Sequence, residues 1–211
     1  MVVYLHGLWL AGHESLLLRR RLERLFSLEV QVFKYPSVSV PMLDVTARLQ
    51  AFIDSFAPRS ELHLVGHSLG GLVAYRFLER YPKQPPGRVV FLGTPAVASR
   101  AAATVGRARW AGALLGRCVG EELLTEQRRA WTTARPLGII AGTRPAGLGQ
   151  LFANFKEPND GTIAVSETRL PGATDHISLP VSHMGMLVSA RVARETGGFL
   201  TRGHFSLAGA R

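Results

Sequence analysis

Short apolar, β-rich runs alternate along this chain with segments of helical period, and that alternation narrows the fold more than any other feature. Strands are expected at Val2-Leu5, Val30-Lys34, Leu62-Val65, Val89-Leu92 and Leu137-Ala141, with a sixth at Ala164-Ser166 or a little beyond. Between them, Leu16, Leu17, Leu22, Leu25 and Phe26 recur at roughly helical spacing. So do Leu43, Ala47, Leu49, Phe52, Ile53 and Phe56, and then Leu72, Val73, Tyr75, Phe77 and Leu78. Pro82 and Gln84-Pro85-Pro86-Gly87 stop the third helix and turn the chain back. Strand, helix, strand repeated in this way implies right-handed crossovers. The expected fold class is therefore α/β, a mostly parallel sheet of about six strands with helices on both faces. Ligands of such sheets sit at the carboxyl ends of the strands.

Two stretches break the rhythm. Ala96-Ala134 is longer than one connecting helix requires and carries Gly106, Gly112 and Gly116 among several arginines. Arg144-Asn159 has little period and reads as a loop. Too few residues lie beyond either for a second domain, so residues 1–211 read as one domain with a cap- or lid-like helical insert at 96–134.

Composition excludes several classes. Apolar residues make up 46% and charged residues 19%, which suits a packed core rather than disorder. The single Cys118 can form neither an internal disulfide nor a metal site of its own. No basic, apolar leader opens the chain, and no run of 18 apolar residues suggests a membrane span, so a cytoplasmic location is expected. The net charge is +10, and all but Lys34, Lys83 and Lys156 of the 25 basic residues are Arg. Such charge suits an acidic partner or an anionic membrane surface. Nucleic acid is not expected, because zinc-finger spacing, RNA-binding aromatics and long basic blocks are all missing.

The chemistry centres on Leu62-His63-Leu64-Val65-Gly66-His67-Ser68-Leu69-Gly70-Gly71, a strand, a tight turn and a helix start. G-x-S-x-G at such a junction displays its serine at the apex of a strained turn, while the flanking glycines let strand and helix pack closely. A hydroxyl needs a base to take its proton as it attacks. Of seven histidines, His183 in the loop before the last helix is preferred, with His176 as rival. An acid must hold that imidazole in the correct tautomer. Asp160 in Asn159-Asp160-Gly161-Thr162 gives the order Ser, Asp, His, and Asp175 is the alternative. The oxyanion of acyl transfer calls for backbone donors, expected at Leu69 on the helix start and at Leu8 after the first strand. His6, Gly7, Trp9 and His67 are the expected substrate neighbours. No metal or cofactor is called for.

His6-Gly7-Leu8, Gly66-His67-Ser68-Leu69-Gly70-Gly71, Asn159-Asp160-Gly161 and His183-Met184-Gly185-Met186-Leu187 together resemble the small bacterial lipases and esterases of the α/β-hydrolase superfamily. The resemblance implies a sheet of about six strands, all parallel, and carries the acid to Asp160 and the base to His183. It implies hydrolysis of a small-molecule acyl ester or lipid through an acyl-enzyme, without a cofactor. The long Ala96-Ala134 segment departs from the smallest lipases, and a lid there would offer Arg100 and Arg107 to an anionic group. Two other functions compete. One keeps the triad for an acyl thioester or acyl-carrier-protein ester, by hydrolysis or acyl transfer, with Arg100, Arg107 and Arg109 docking an acidic carrier. The other is a non-catalytic binding protein on a hydrolase scaffold.

Overall fold

The computed structural model describes residues 1–57, 60–96, 129–146 and 157–206. Six strands form one sheet: β1 (Val2–Leu5), β2 (Val30–Phe33), β3 (His63–His67), β4 (Val89–Leu92), β5 (Leu137–Gly142) and β6 (Asp175–Leu179). Their order is β2-β1-β3-β4-β5-β6, and every neighbouring pair is parallel. The fold is the expected α/β type. β1 lies between β2 and β3, with Val2 opposite Val30 on one side and His63 on the other. The winding therefore reverses at β1, and the crevice beside its carboxyl end is where such sheets bind ligands.

The helices are α1 (Leu16–Phe26), α2 (Met42–Asp54), α3 (Leu69–Arg80), the single turn α4 (Val165–Thr168) and α5 (Ala190–Arg202). Side chains alternate across the strands, so each strand feeds two cores. Val3 and Leu5 of β1 join Leu64, Phe91 and Ile139 beneath α2 and α3, through Val45, Leu49, Val73 and Phe77. Val2 and Tyr4 join Val65, Val90 and Ile140 beneath α1 and α5, through Leu18, Leu22, Val192 and Phe199. Strands covered on both faces read as unbroken apolar runs, which is why β1 and β4 are legible to the residue.

The buried stripe of α1 differs from the expected one. Leu18 and Leu22, four apart, face the sheet, while Leu16, Leu17 and Leu25 are exposed. A turn at His13–Ser15, tied by the Ser15 hydroxyl to the Gly12 carbonyl at 2.6 Å, sets where the helix starts and hence which leucines turn inward. Burying each is worth about 1.5–3 kcal/mol, and Leu22→Ala should cost about 2–5 kcal/mol.

The sixth strand is also corrected, from Ala164-Ser166 to β6. Asn159 bridges back to Ala164, and the Ala164 N–H donates to the Glu167 carboxylate at 2.9 Å, which opens α4 instead of a strand. Asp175–Leu179 pairs with β5 at the sheet edge, with Ile177 and Leu179 inward and Ser178 outward. Of the expected insert at 96–134, residues 97–128 lie outside the described residues, and Arg129–Ala134 contain no helix. The expected loop at 144–159 is described only at 144–146 and 157–159, without helix.

Candidate active site

Ser68 sits between β3 and α3 with φ 53° and ψ −121°, a conformation that costs a non-glycine residue about 1–3 kcal/mol. The surroundings hold it there: its N–H donates to the Leu92 carbonyl at 2.9 Å, and its own carbonyl accepts from the Gly71 N–H at 3.1 Å. A Cβ on Gly66 would collide with the Gly70-Gly71 backbone, and one on Gly70 with the Leu5 carbonyl. Only glycine at both positions lets α3 press against β1 and β3. The helix therefore points its N-terminus, with its partial positive charge, at the Ser68 turn.

His183 follows β6 and precedes a tight helical turn at Met184–Leu187. Its Nδ1 lies 2.6 Å from Asp160 Oδ2, and its backbone N–H donates to the Asp160 carbonyl at 2.8 Å. Asp160 is buried, and its second carboxylate oxygen accepts the Thr162 and Ile163 N–H groups at 2.9 and 2.7 Å. Because a carboxylate only accepts, His183 Nδ1 carries the proton and Nε2 is left as the basic nitrogen. The rival residues lie at the other end of β6. Asp175 accepts from the His176 and Phe205 N–H groups, at 2.9 Å each. His176 Nε2 is 2.9 Å from the Thr168 hydroxyl. Burial, aided by Arg169, pushes the His176 pKa down to about 4.

Gly93, directly after β4, is a member of the constellation that sequence reasoning missed. It has φ 57°, and a Cβ there would fall 3.0 Å from both Asp160 Oδ2 and His183 Nδ1. The Asp160–His183 pair thus lies over the end of β4, the strand next to the one that carries Ser68. A glycine ending an apolar strand was the available signal.

The loop after β1 approaches from the other side, since a Cβ on Gly7 would lie 3.2 Å from Ser68 Cβ. His6 and His67, expected as substrate neighbours, are both fully buried. His6 Nδ1–H donates to the Gly7 carbonyl at 2.8 Å, and its Nε2 accepts the Tyr35 N–H at 3.2 Å. Both ring nitrogens are thus committed within the protein, and burial lowers the pKa of the ring. Tyr35 stacks on it at 4.1 Å and donates its hydroxyl to the His6 carbonyl at 2.6 Å. The Gly7 carbonyl and the Leu8 N–H belong to one planar peptide. The His6 ring therefore holds the peptide that carries the Leu8 amide, and the Tyr35 hydroxyl holds the one before it. Tyr35 gave no sequence signal of this. Trp9, with φ 60°, is 59% exposed and donates its N–H to the Ser37 hydroxyl at 3.0 Å. Leu69, the other expected donor, opens α3.

His67 Nε2 is 3.2 Å from the His183 carbonyl, and the two rings are 4.7 Å apart, tilted by 45°. Its Nδ1 is buried with no partner among the described residues. Burial first, and then the neighbouring His183, hold the His67 pKa far below the usual imidazole value. Among the described residues, no group of three or more His, Cys, Asp or Glu side chains could hold a metal ion. A groove of about 560 Å³ lies at the opposite, amino-terminal end of the strands, lined by Glu61, Arg88, Arg135 and Pro136. Its arginines are engaged with the Leu200 and Leu62 carbonyls, which suits loop packing rather than chemistry.

Among solved structures, the chain resembles the mature lipase BlEst2 of Bacillus licheniformis, at 18% identity and a TM-score of 0.70, over 95% of this chain and 90% of that one. It resembles phospholipase PlaB of Legionella pneumophila at 16% identity and a TM-score of 0.68, over 93% of this chain and 55% of that one. A pyrethroid hydrolase of Sphingobium faniae matches at 14% identity and a TM-score of 0.66, over 95% and 97%. At such identities the likeness speaks for the fold alone. No curated protein matches. The family model for the alpha/beta hydrolase family matches residues 2–195, and the chain belongs to that family.

Proposed function

We propose that this protein is a serine hydrolase of carboxylic esters, with Ser68 as nucleophile, His183 as base and Asp160 as the acid that orients it. The observation that carries this reading is the buried 2.6 Å contact from Asp160 to His183 Nδ1, packed on Gly93, with a serine held at φ 53° and its N–H bonded to the carbonyl of Leu92, just before that glycine. It leaves His183 Nε2 unprotonated, as a general base requires.

Ser68 Oγ attacks the ester carbonyl while its proton passes to His183 Nε2. The carbonyl oxygen becomes an anion at the Leu8 and Leu69 amides, where each donor is worth about 3–4 kcal/mol. As the tetrahedral species collapses, the C–O bond to the alcohol breaks, and His183 returns its proton to the departing oxygen. Water then attacks the acyl-Ser68 ester by the same route, releasing the acid and restoring the serine. Asp160 stabilises the imidazolium in both halves without taking the proton itself.

Exposed Trp9 and Met184, on the loop after β1 and directly after His183, support an apolar acyl group. The structural neighbours, named as a lipase, a phospholipase and a pyrethroid hydrolase, fit an ester substrate. The thioester reading rests on Arg100, Arg107 and Arg109, which lie outside the described residues. The test is labelling by a fluorophosphonate and turnover of p-nitrophenyl esters, both lost in Ser68→Ala. Folded wild-type protein that does neither overturns the proposal.

A further inference from the structure

His67 stands directly before Ser68 at the end of β3, yet it faces the base rather than the crevice. Its Nε2 lies 3.2 Å from the backbone carbonyl of His183. A carbonyl can only accept, so Nε2 carries the proton and Nδ1 is a lone pair, which is buried and without a partner among the described residues. On the other side, the His183 N–H donates to the Asp160 carbonyl at 2.8 Å, and its Nδ1–H to Oδ2 at 2.6 Å. The peptide entering His183 is thereby tied to the segment of the acid. The peptide leaving it is tied to the segment of the serine.

We propose that His67 is a positioning residue that couples base to nucleophile, its Nε2–H fixing the backbone of His183 so that the imidazole stays aimed at Ser68. The inference rests on the assignment of Ser68 and His183 made above. Adjacency in sequence matters because residues 67 and 68 share one peptide, so any shift of the serine carries its neighbour, and with it the base. Packing alone does not account for a histidine here. An apolar side chain would fill the same space without stranding a buried lone pair, and buried polar atoms are ordinarily paired. Deep burial also keeps His67 neutral, so no second cation forms 4.7 Å from the imidazolium that His183 becomes during turnover.

The experiment compares wild type with His67→Leu, His67→Asn, His67→Gln and Ser68→Ala. Leu removes the donor, Asn places its amide near the Nδ1 position and falls short of the carbonyl, and Gln reaches it. The readouts are kcat and KM on p-nitrophenyl butyrate, and the far-downfield proton NMR signal of His183 Nδ1–H, which needs no substrate. Leu and Asn should each lower kcat about tenfold or more, the scale of a sub-ångström misplacement. KM should stay within about twofold, since His67 touches no substrate. The downfield signal should broaden or shift in both variants. Gln should restore most of kcat and the wild-type signal. If Leu does not fold, the Asn and Gln pair decides the matter alone.

Wild-type kcat and an unchanged downfield signal in the Asn variant overturn the inference. So does a folded Gln variant as impaired as Asn. Retained turnover in Ser68→Ala means that the nucleophile assignment has failed, and the role of His67 falls with it. An inactive Ser68→Ala beside fully active Leu and Asn variants removes the inference about His67 alone.

Discussion

Asp160→Asn is the most discriminating single change at this site, because the structure dictates how the new amide must sit. In the native protein one carboxylate oxygen accepts two backbone N–H groups, from Thr162 at 2.9 Å and Ile163 at 2.7 Å. The other accepts His183 Nδ1–H at 2.6 Å. An asparagine has one oxygen and one NH2 to place. Turning the NH2 toward the two amides would strand both donors in a buried place, at about 1–3 kcal/mol each. The oxygen therefore stays with Thr162 and Ile163, and the NH2 faces His183 Nδ1. That nitrogen must then present its lone pair, so the ring carries its proton on Nε2 and cannot accept the one from Ser68. The expected loss in kcat is about 10⁴-fold, the scale of the wrong-tautomer effect in serine proteases, or roughly 5.5 kcal/mol in the barrier. The fold should survive, since two of the three hydrogen bonds remain and the third is reversed in direction. The assay is p-nitrophenyl ester turnover against enzyme titrated with fluorophosphonate, alongside thermal unfolding. Asp175→Asn is the control, expected to keep kcat. A folded Asp160→Asn protein with kcat within tenfold of wild type would refute the reasoning, as would a larger loss from Asp175→Asn.

Three further outcomes are expected. Gly93→Ala puts a Cβ 3.0 Å from both Asp160 Oδ2 and His183 Nδ1 in a backbone with φ 57°. It should lower kcat about 10- to 100-fold while costing about 1–2 kcal/mol of stability, seen by comparing kinetics with denaturant unfolding. Tyr35→Phe removes the 2.6 Å bond to the His6 carbonyl. It should cost about 1 kcal/mol of stability, and it should lower kcat severalfold by loosening the His6–Gly7 peptide that leads into the Leu8 amide; an unchanged kcat would disconnect Tyr35 from the proposed oxyanion donor. Acid should weaken the fold through His176, whose pKa is about 4 in the folded chain against 6.5 as its ordinary value. Between those values the unfolded chain binds the extra proton, so the contribution is complete above pH 6.5 and falls away as pH drops toward 4. It amounts to at most about 3 kcal/mol. Urea unfolding at pH 7, 5.5 and 4.5 measures this, and His176→Asn should flatten the slope.

What could be read from the sequence followed burial on both faces. β1 and β4 are covered above and below, so their sequences are apolar throughout and their limits match expectation to the residue. β6 is an edge strand with only Ile177 and Leu179 firmly inside, and its Asp, His and Ser interrupt the apolar run that marks the inner strands. The short run Ala164-Ser166 cannot be rescued by propensity, because the Asp160 and Glu167 side chains capture the local N–H groups first. The same logic applies to the site. Ser68, Asp160 and His183 each carry functional groups that a chemist looks for. Gly93 contributes only the absence of a side chain. The side chains of His6, His67 and Tyr35 meet backbone atoms far away in the sequence or on the neighbouring peptide, and no local pattern records such partnerships.

The sheet order explains why so much backbone clamping is needed. Leu8, Ser68, Gly93, Asp160 and His183 follow β1, β3, β4, β5 and β6, which are five adjacent strands. Adjacent strands are about 4.8 Å apart, so His183, which follows β6, starts roughly 14 Å from the strand that carries Ser68. It must fold back across two strand ends to arrive. The Thr143 N–H donates to the Leu179 carbonyl at 2.9 Å, and the Arg144 N–H to that of Val181 at 3.2 Å, zipping the segments after β5 and β6 together. Asp160 then receives His183 through backbone and side chain, Gly93 leaves the clearance over β4, and His67 meets the carbonyl beyond it. Each latch advances the imidazole toward β3. The position of His183 is thus a property of the connected loops rather than of any one strand, so changes of loop length between Leu179 and His183 should abolish ester turnover before they disturb the sheet.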